Sequence, residues 1–261
     1  MRDRTSLQIN TAVIFALVLR EMRTRFGERR MGAFWLLFEP VAHMAVIMFV
    51  LTVLRGRHLS GFEYPVFLIS GMIPFFLMRN IALRLMDSIN ANRALFAYPN
   101  IKIFDTYVAR MIVECALHFC VFAILLVGLW WFFDYDVAIY RPIQFFLILC
   151  VGIALSFGLG LILSVIVEAM PNAKIFIRLL FMPLYFLSGV IIPVWVIPEE
   201  YLRWVLWNPW LHIIDSLRWA YFEKYPVTPV LNMHYPIAVA SIFLFLGVAL
   251  YHLRKRELLA L

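Results

Sequence analysis

Six long apolar runs constrain this chain more than any other feature of its sequence. A helix needs about 20 mostly apolar residues to cross a bilayer, because each residue advances ~1.5 Å across a hydrocarbon core of ~30 Å. Runs of this kind occupy residues 33–54, 62–83, 111–133, 142–167, 179–198 and 235–253. The second run is the least clean, since Glu63 and Arg79 lie near its ends. The sequence therefore predicts an all-α integral membrane protein with six transmembrane helices.

The composition excludes an ordinary soluble fold. Of the 261 residues, 64% are hydrophobic and only 16 are Asp or Glu, whereas a soluble domain is about half apolar. The length fits one membrane domain and leaves no room for a separate soluble catalytic domain. The net charge of +7 does not indicate nucleic-acid binding here, because basic residues gather on the cytoplasmic side of membrane proteins.

The distribution of Lys and Arg predicts the orientation of the spans. If the N-terminus is cytoplasmic, 17 of the 23 basic residues fall on the inner side, in residues 1–32, 79–110, 168–178 and 254–261. The outer loops hold the other 6, in residues 55–63, 134–141 and 192–234. The inverted arrangement would oppose the positive-inside bias. We therefore expect both termini in the cytoplasm.

The N-terminal segment predicts an amphipathic helix at the membrane interface. Its apolar run at 11–19 is too short to span, and arginines follow it where a cleavable signal needs small residues. A short apolar stretch between arginines fits a helix that lies among lipid headgroups. We assign residues 1–32 to this interface helix, 33–253 to the transmembrane domain and 254–261 to a cytoplasmic tail.

The segment between the fifth and sixth runs is rich in tryptophan. Five of the eight tryptophans lie from Trp195 to Trp219, and tryptophan prefers the membrane interface. Pro198 followed by two glutamates is typical of a helix start, and Asn208 before a proline ends that helix. The sequence predicts a re-entrant pair of short helices at 199–222. An ordinary extracellular loop is the alternative.

Small residues recur every four positions in the fourth run. They predict a helix face on which another backbone packs closely, and whether that neighbour belongs to the same subunit stays open. The residues are Gly152, Ser156, Gly160 and Ser164.

Motifs for ATP binding and for catalysis are absent from the sequence. It contains no G-x-x-x-x-G-K-[ST], H-E-x-x-H, paired C-x-x-C or G-x-S-x-G, so we expect neither a P-loop nor an enzyme. Energy for transport must then come from a gradient or from another chain. Arg110, Glu114 and His118 share one face of the third run. We interpret them as a local ion pair with a hydrogen-bonded histidine, and a proton relay in a proton-coupled transporter is the alternative.

Two segments on the predicted cytoplasmic side are candidate partner surfaces. Residues 20–30 are rich in arginine, and the loop at 86–105 has helical character as far as Pro99. The loop carries Leu95, Phe96 and Tyr98, which a simple solvated loop does not need. Packing of this loop onto its own subunit is the alternative.

Three regions carry a resemblance to a known family. Residues 25–35, which read RFGERRMGAFW, with Glu39-Pro40 after them, resemble the start of type-2 ABC exporter permeases. The re-entrant region of the polysaccharide-exporting members is similar to a set of residues here: Ser188-Gly189-Val190, Pro198, Trp207-Asn208-Pro209-Trp210, Asp215 and Arg218. Residues 67–74 (FLISGMIP) add a third region. In order and spacing the chain resembles inner-membrane permeases of capsular polysaccharide exporters, with O-antigen and teichoic-acid export permeases as near relatives.

The resemblance implies an assembly in the bacterial inner membrane. Two six-span subunits would form a homodimer, with two ATP-binding cassette subunits that hold ATP and Mg²⁺, and no cofactor is expected on this chain itself. Spans one and five would form most of a channel for a lipid-linked, usually acidic polysaccharide. In Gram-negative bacteria the path would continue through a periplasmic adaptor, or co-polymerase, and an outer-membrane channel.

Two sets of site residues follow from the resemblance and the chemistry. We predict coupling to the ATPase through Arg25, Glu28, Arg29, Arg30, Arg93, Phe96 and Tyr98. Aromatic rings stack on sugars and arginines attract acidic polymers, so the channel candidates are Phe38, Arg79, Arg84, Arg178, Phe181, Tyr185, Trp195, Trp207 and Trp210. Contact with lipid or with the protein interior, and headgroup anchoring of the arginines, are the alternatives. A membrane-embedded transferase acting on lipid-linked sugar is a third hypothesis, although no acid/base or metal constellation supports it.

Overall fold

The chain is all-helical throughout its described part. The computed structural model describes residues 6–26, 34, 38, 41–47, 49–50, 62–98 and 101–259, and these contain no strand. The α-helices with both ends described are α1 (Ser6–Phe26), α2 (Tyr64–Met86), α3 (Ser88–Asn92), α4 (Ile103–Phe133), α5 (Pro142–Ala169), α6 (Ala173–Leu187), α7 (Glu199–Leu202), α8 (Pro209–Tyr221) and α9 (His234–Leu259). Four of them, α2, α4, α5 and α9, are long and apolar enough to cross a membrane. Part of the predicted first span lies outside the described residues.

Helix α2 lies at the centre of the bundle. Its apolar side chains are enclosed on nearly every side, as at Met72, and α5 packs against it. The small residues of α5 make this contact possible, because a β-carbon on Gly152 would lie 2.5 Å from Met78 Sδ and one on Gly160 would lie 2.7 Å from Leu85 Cβ. The neighbour of the small-residue face is therefore a helix of the same chain.

A second close approach joins α5 to α9. A β-carbon on Gly158 would lie 2.5 Å from the backbone nitrogen of Leu244, and one on Gly247 would lie 2.8 Å from the carbonyl oxygen of Gly158. The two backbones thus meet glycine to glycine, as small residues allow between membrane helices. This contact between Gly158 and α9 was not predicted from the sequence.

The observed helix ends differ most from the predicted spans in α4 and α6. Helix α4 begins at Ile103 rather than at 111, since Asp105 Oδ2 accepts the Lys102 N–H at 3.0 Å and holds the first turn. Helix α6 begins at Ala173 rather than at 179 and ends at Leu187 rather than near 198. Beyond Ser188 the backbone of Gly189 is left-handed, with φ +69°, a conformation that glycine adopts without a Cβ clash.

The buried guanidinium of Arg218 holds the chain after this break. Arg218 lies in α8 and is 0% exposed. It donates at 2.5 Å to the carbonyl oxygens of Gly189 and Val190, and at 3.3 Å to that of Phe67 in α2. Its guanidinium carbon also lies 3.6 Å from the Phe67 ring centroid. An unpaired carbonyl inside a bilayer costs several kcal/mol, so Arg218 supplies donors that the ended helix lacks.

Asn208 joins the end of α6 to the start of α8. Its side-chain amide donates to the Leu187 carbonyl at 3.2 Å and to Ser188 Oγ at 3.0 Å. Its oxygen accepts the Trp210 N–H at 3.0 Å and caps α8. Helix α8 matches the second member of the predicted pair. The first member differs, because α7 is a single turn from Glu199 to Leu202.

A buried hydrogen bond fixes the loop that follows α8. Tyr225 Oη donates to Asp215 Oδ1 at 2.6 Å. Burial and the neighbouring Asp215 carboxylate raise the pKa of Tyr225 above its ordinary value, so the hydroxyl stays protonated and remains a donor. The Tyr225 ring lies 4.7 Å from that of Trp195, and this contact holds Trp195 against the bundle.

The glycine contact between α5 and α9 yields a matched pair of variants. We expect Gly158→Ala to lower the free energy of unfolding by about 1–3 kcal/mol, because the new methyl group meets backbone atoms that cannot move aside. Gly128→Ala in α4 is the control, since no heavy atom lies within 4 Å of the added carbon. Thermal unfolding of the detergent-solubilised protein measures both, and equal stability of the two variants would contradict the packing.

Candidate functional site

A buried carboxylate lies near the end of the bundle where α2 ends and α4 begins, here called the basic end. The Glu114 side chain in α4 is 1% exposed, and two arginines from other helices contact it. Arg25 of α1 forms an ion pair with Glu114 Oε1, and Arg84 Nε of α2 lies 3.4 Å from the same oxygen. A buried carboxylate without partners would be strongly destabilising, so these contacts hold α1 and α2 to α4.

Two further residues complete an ion cluster made of Glu21, Arg25, Arg84, Arg110 and Glu114. Arg110 Nε lies 3.4 Å from Glu21 Oε2, and Arg110 Nη1 donates to the Arg84 carbonyl at 2.7 Å. Three arginines thus face two carboxylates across α1, α2 and α4. Arg110 and Glu114 therefore pair with residues of other helices, and not with each other as a pair along α4 alone.

His118 lies deeper on the same face of α4. Its Nδ1 is 3.0 Å from the Glu114 carbonyl oxygen, and its Nε2 is 3.2 Å from Asn80 Nδ2. The neutral ring protonated at Nδ1 satisfies both contacts, because it donates to the carbonyl and accepts from the amide. The arrangement is that of a hydrogen-bonded histidine.

The loop between α2 and α4 is folded and tied to its neighbours. Asn92 Nδ2 donates to the Ser88 carbonyl at 2.9 Å, and Asn92 Oδ1 accepts from Arg20 of α1 at 2.8 Å. Arg93 Nη2 lies 2.5 Å from Glu168 Oε1 near the end of α5. These contacts join the loop to α1 on one side and to α5 on the other.

The two aromatic residues predicted in this loop have different environments. Phe96 is half-buried and packs against the cluster that contains Leu85, Ile89 and Tyr107. Tyr98 is 62% exposed. The loop therefore packs onto its own subunit through Phe96 and leaves the Tyr98 ring open to a partner.

Asp87, directly after α2, binds two cations of α6. Its Oδ1 lies 2.9 Å from Lys174 Nζ, and its Oδ2 lies 2.5 Å from Arg178 Nη2. Arg178 was predicted as a channel residue, and in this chain it faces the carboxylate of Asp87 at the basic end.

Three of the predicted channel aromatics are buried inside the subunit. The Tyr185 hydroxyl lies 2.9 Å from His43 Nε2, and its ring is 5.2 Å from that of Phe75. Phe181 packs edge-on against Trp210 with 6.0 Å between the ring centroids. These rings are core contacts in the single chain, and a channel role for them stays a prediction.

The other channel candidates are spread over the molecule. Trp207 and Phe38 are exposed, and Trp195 is half-buried. The Arg79 guanidinium lies 4.6 Å from the Phe76 ring centroid, and Arg84 belongs to the ion cluster. The single chain thus does not bring the nine candidates onto one surface.

Several residues at the basic end had escaped the sequence analysis. Four residues each contact a cation that is distant in the sequence: Glu21, Asp87, Asn92 and Glu168. Local sequence patterns do not predict contacts of this kind. The spacing of Lys174 and Arg178, four residues apart in α6, was the one available signal. Glu28, Arg29 and Arg30 lie outside the described residues. In the part that is described, no group of three or more His, Cys, Asp or Glu could hold a metal ion.

Comparison with known proteins covers nearly the whole chain. The profile of the ABC-2 type transporter family matches residues 12–222. The polysialic acid transport protein KpsM of Escherichia coli is 34% identical over 256 residues, which are 98% of each chain. The capsule polysaccharide export inner-membrane protein CtrC of Neisseria meningitidis serogroup B is 31% identical over 254 residues, or 94% of this chain and 92% of CtrC.

A third relative agrees with these two. The capsule polysaccharide export inner-membrane protein BexB of Haemophilus influenzae is 31% identical over 229 residues, or 86% of this chain and 84% of BexB. The profile and the relatives cover the basic end, the α6 break and α8 alike. This chain therefore belongs to the ABC-2 type transporter family.

Proposed function

We propose that this chain is the permease subunit of an ABC exporter that moves a lipid-anchored, capsular-type polysaccharide across the bacterial inner membrane. The observation that carries the proposal is the similarity over 98% of both chains to a polysialic acid transport protein. Two further relatives are named for capsule polysaccharide export. An O-antigen or teichoic-acid exporter would use the same architecture, but the names of these relatives favour a capsular substrate.

The proposed architecture has six spans, a re-entrant pair between spans five and six, and both termini in the cytoplasm. Four spanning helices support it, together with the gathering of Lys and Arg at the basic end. Helix α6 would be the fifth span, and the break held by Arg218 would begin the re-entrant region. The exposed apolar side of α6, which includes Phe176, Leu179 and Met182, would face a second copy of the chain in a homodimer.

The basic end is the proposed contact with two ATPase subunits that bind ATP and Mg²⁺. Tyr98 and Arg93 are exposed on the loop, and Arg25 ties the end of α1 to α4. The absence of a P-loop from the sequence supports an ATPase on a separate chain. A periplasmic adaptor and an outer-membrane channel would receive the polysaccharide on the far side.

A proton-coupled mechanism through Glu114 and His118 is less compatible with the geometry. Two arginines from other helices contact the buried Glu114 carboxylate and hold it in the ion cluster. A relay needs a carboxyl group that gains and loses a proton during transport. The ion cluster therefore favours a structural role for Glu114.

The energy source gives a direct test of the proposal. The purified chain is expected to hydrolyse no ATP. In membrane vesicles that hold the complete transporter, polysaccharide export should persist after a protonophore collapses the proton gradient and should stop when ATP is removed. ATP hydrolysis by the chain alone, or export that fails with ATP present once the gradient has collapsed, would contradict the proposal.

The exposed Tyr98 ring provides a test of the ATPase contact. We expect Tyr98→Ala to weaken binding of the ATPase subunit about tenfold, ~1.4 kcal/mol, because a tyrosine buried on association is a frequent hot spot. Combined replacement of Phe96 and Tyr98 by alanine should uncouple ATP hydrolysis from export. Tyr98→Phe keeps the ring and serves as the control. Unchanged binding and export in the double variant would remove this loop from the contact.

The ion cluster predicts the effect of neutralising Glu114. Glu114→Gln leaves Arg25 and Arg84 facing an amide, so we expect a loss of about 3 kcal/mol in stability and faster tryptic cleavage within α1. The exposed Glu200→Gln is the control. A proton relay predicts instead a stable variant with normal cleavage and lost transport, so thermal unfolding and proteolysis separate the two roles.

A further inference from the structure

We propose that Asp87 is a positioning residue that transmits movement of the α2–α4 loop to α6 through Lys174 and Arg178. The inference rests on the proposed function, because the loop moves only if an ATPase acts on it. It goes further by naming the contact through which such movement would reach a membrane helix.

Asp87 forms ion pairs with two cations of α6. The two oxygens of one carboxylate each bind a different cation, at 2.9 Å for Lys174 and 2.5 Å for Arg178. Lys174 and Arg178 are four residues apart and share one face of α6. Arg178 donates a hydrogen bond to Asp87 Oδ2, and the Lys174 charge lies close to Oδ1. The carboxylate is thus attracted to two points on one face of α6, so displacement of Asp87 would carry the start of α6 with it.

These charges do not stabilise the dipoles of the helices to which they belong. Asp87 follows the C-terminus of α2, and Lys174 and Arg178 lie in the first half of α6. A helix favours cations near its C-terminus and anions near its N-terminus. Asp87 also precedes the short helix α3, but its side chain makes no capping hydrogen bond there. The charges are therefore compensated by their contact with each other.

The loop is connected firmly enough to act as one body with Asp87. The Asp87 N–H donates to the Leu83 carbonyl at 3.3 Å, and the Asp87 carbonyl accepts from Ala91 at 3.2 Å. Asn92 and Arg93 then join the same loop to α1 and α5. Among the described residues, Asp87 provides the charged contact between this body and α6.

Helix α6 is suited to receive the movement. It is a single helix of 15 residues that ends at the break held by Asn208 and Arg218. At ~1.5 Å per residue it spans about 22 Å. A shift at Lys174 would therefore reach Phe181 along continuous helix. Tyr185 and the re-entrant region lie beyond Pro183, which lacks the N–H for one helical hydrogen bond.

Charge reversal with restoration tests the contact in the complete transporter. Asp87→Arg brings three cations together, whereas the triple variant with Lys174→Asp and Arg178→Asp restores opposite charges in the reverse arrangement. Glu200→Lys, a reversal at an exposed acid in α7, is the control. For each variant one measures co-purification of the ATPase, ATP hydrolysis, and polysaccharide exported per ATP hydrolysed.

We expect Asp87→Arg to keep the ATPase bound and to lower export per ATP about tenfold, and the triple variant to recover most of that loss, as coupled charges do in double-mutant cycles. Wild-type coupling in Asp87→Arg would overturn the proposal. Failure of the triple variant to recover, with the ATPase still bound, would overturn it as well.

A second pair of variants covers the case in which a reversed charge prevents folding. Asp87→Asn and the double variant Lys174→Gln with Arg178→Gln each remove the same contact without introducing repulsion. Equal losses of coupling support the proposal, and unequal losses overturn it. Failure of the proposed function would appear separately, as absence of ATP-dependent polysaccharide export from the unmodified complex.

Discussion

The guanidinium of Arg218 is the interaction on which the end of the bundle opposite the basic end depends. A chain that ends a helix inside an apolar bundle leaves carbonyl groups without donors, and water is not available there to replace them. Arg218 supplies donors to two carbonyls after α6 and to one carbonyl of α2. Asn208 does the same for Leu187 and caps α8 in addition. With these groups satisfied, α6 can stop early and the chain can fold back across the bundle.

The opposite end of the bundle depends on charge. Three carboxylates form ion pairs with cations of helices or loops that are remote in sequence: Glu114, Asp87 and Glu168. The Glu114 pair is buried, so loss of one partner would be strongly destabilising. The Asp87 and Glu168 pairs are partly solvated and add little to stability. This difference separates their roles: the ion cluster fixes α1 in place, whereas the Asp87 and Glu168 pairs join the loop to α6 and α5.

Much of the helical framework was predictable from the sequence, because membrane helices need long apolar runs and turn residues. The runs predicted α2, α4, α5 and α9, and the pair of short helices predicted at 199–222 includes α8. The family was predictable from motifs in order along the chain, and the comparisons confirm it. The early end of α6 was not predictable from hydropathy, since the residues after Leu187 are as apolar as those before it.

The sequence by itself determined that this chain is a helical membrane protein, where most of its helices lie and to which family it belongs. These properties are local, since apolar length, turn residues and short motifs are read within one segment. Only the tertiary structure decided which charges meet and which glycines touch. Arg84 pairs with Glu114, and Arg178 pairs with Asp87. Gly158 packs against the backbone of α9. Such contacts join residues from 30 to 91 positions apart. The packing of the helices decides which residues meet, and the periodicity within one helix does not encode that packing.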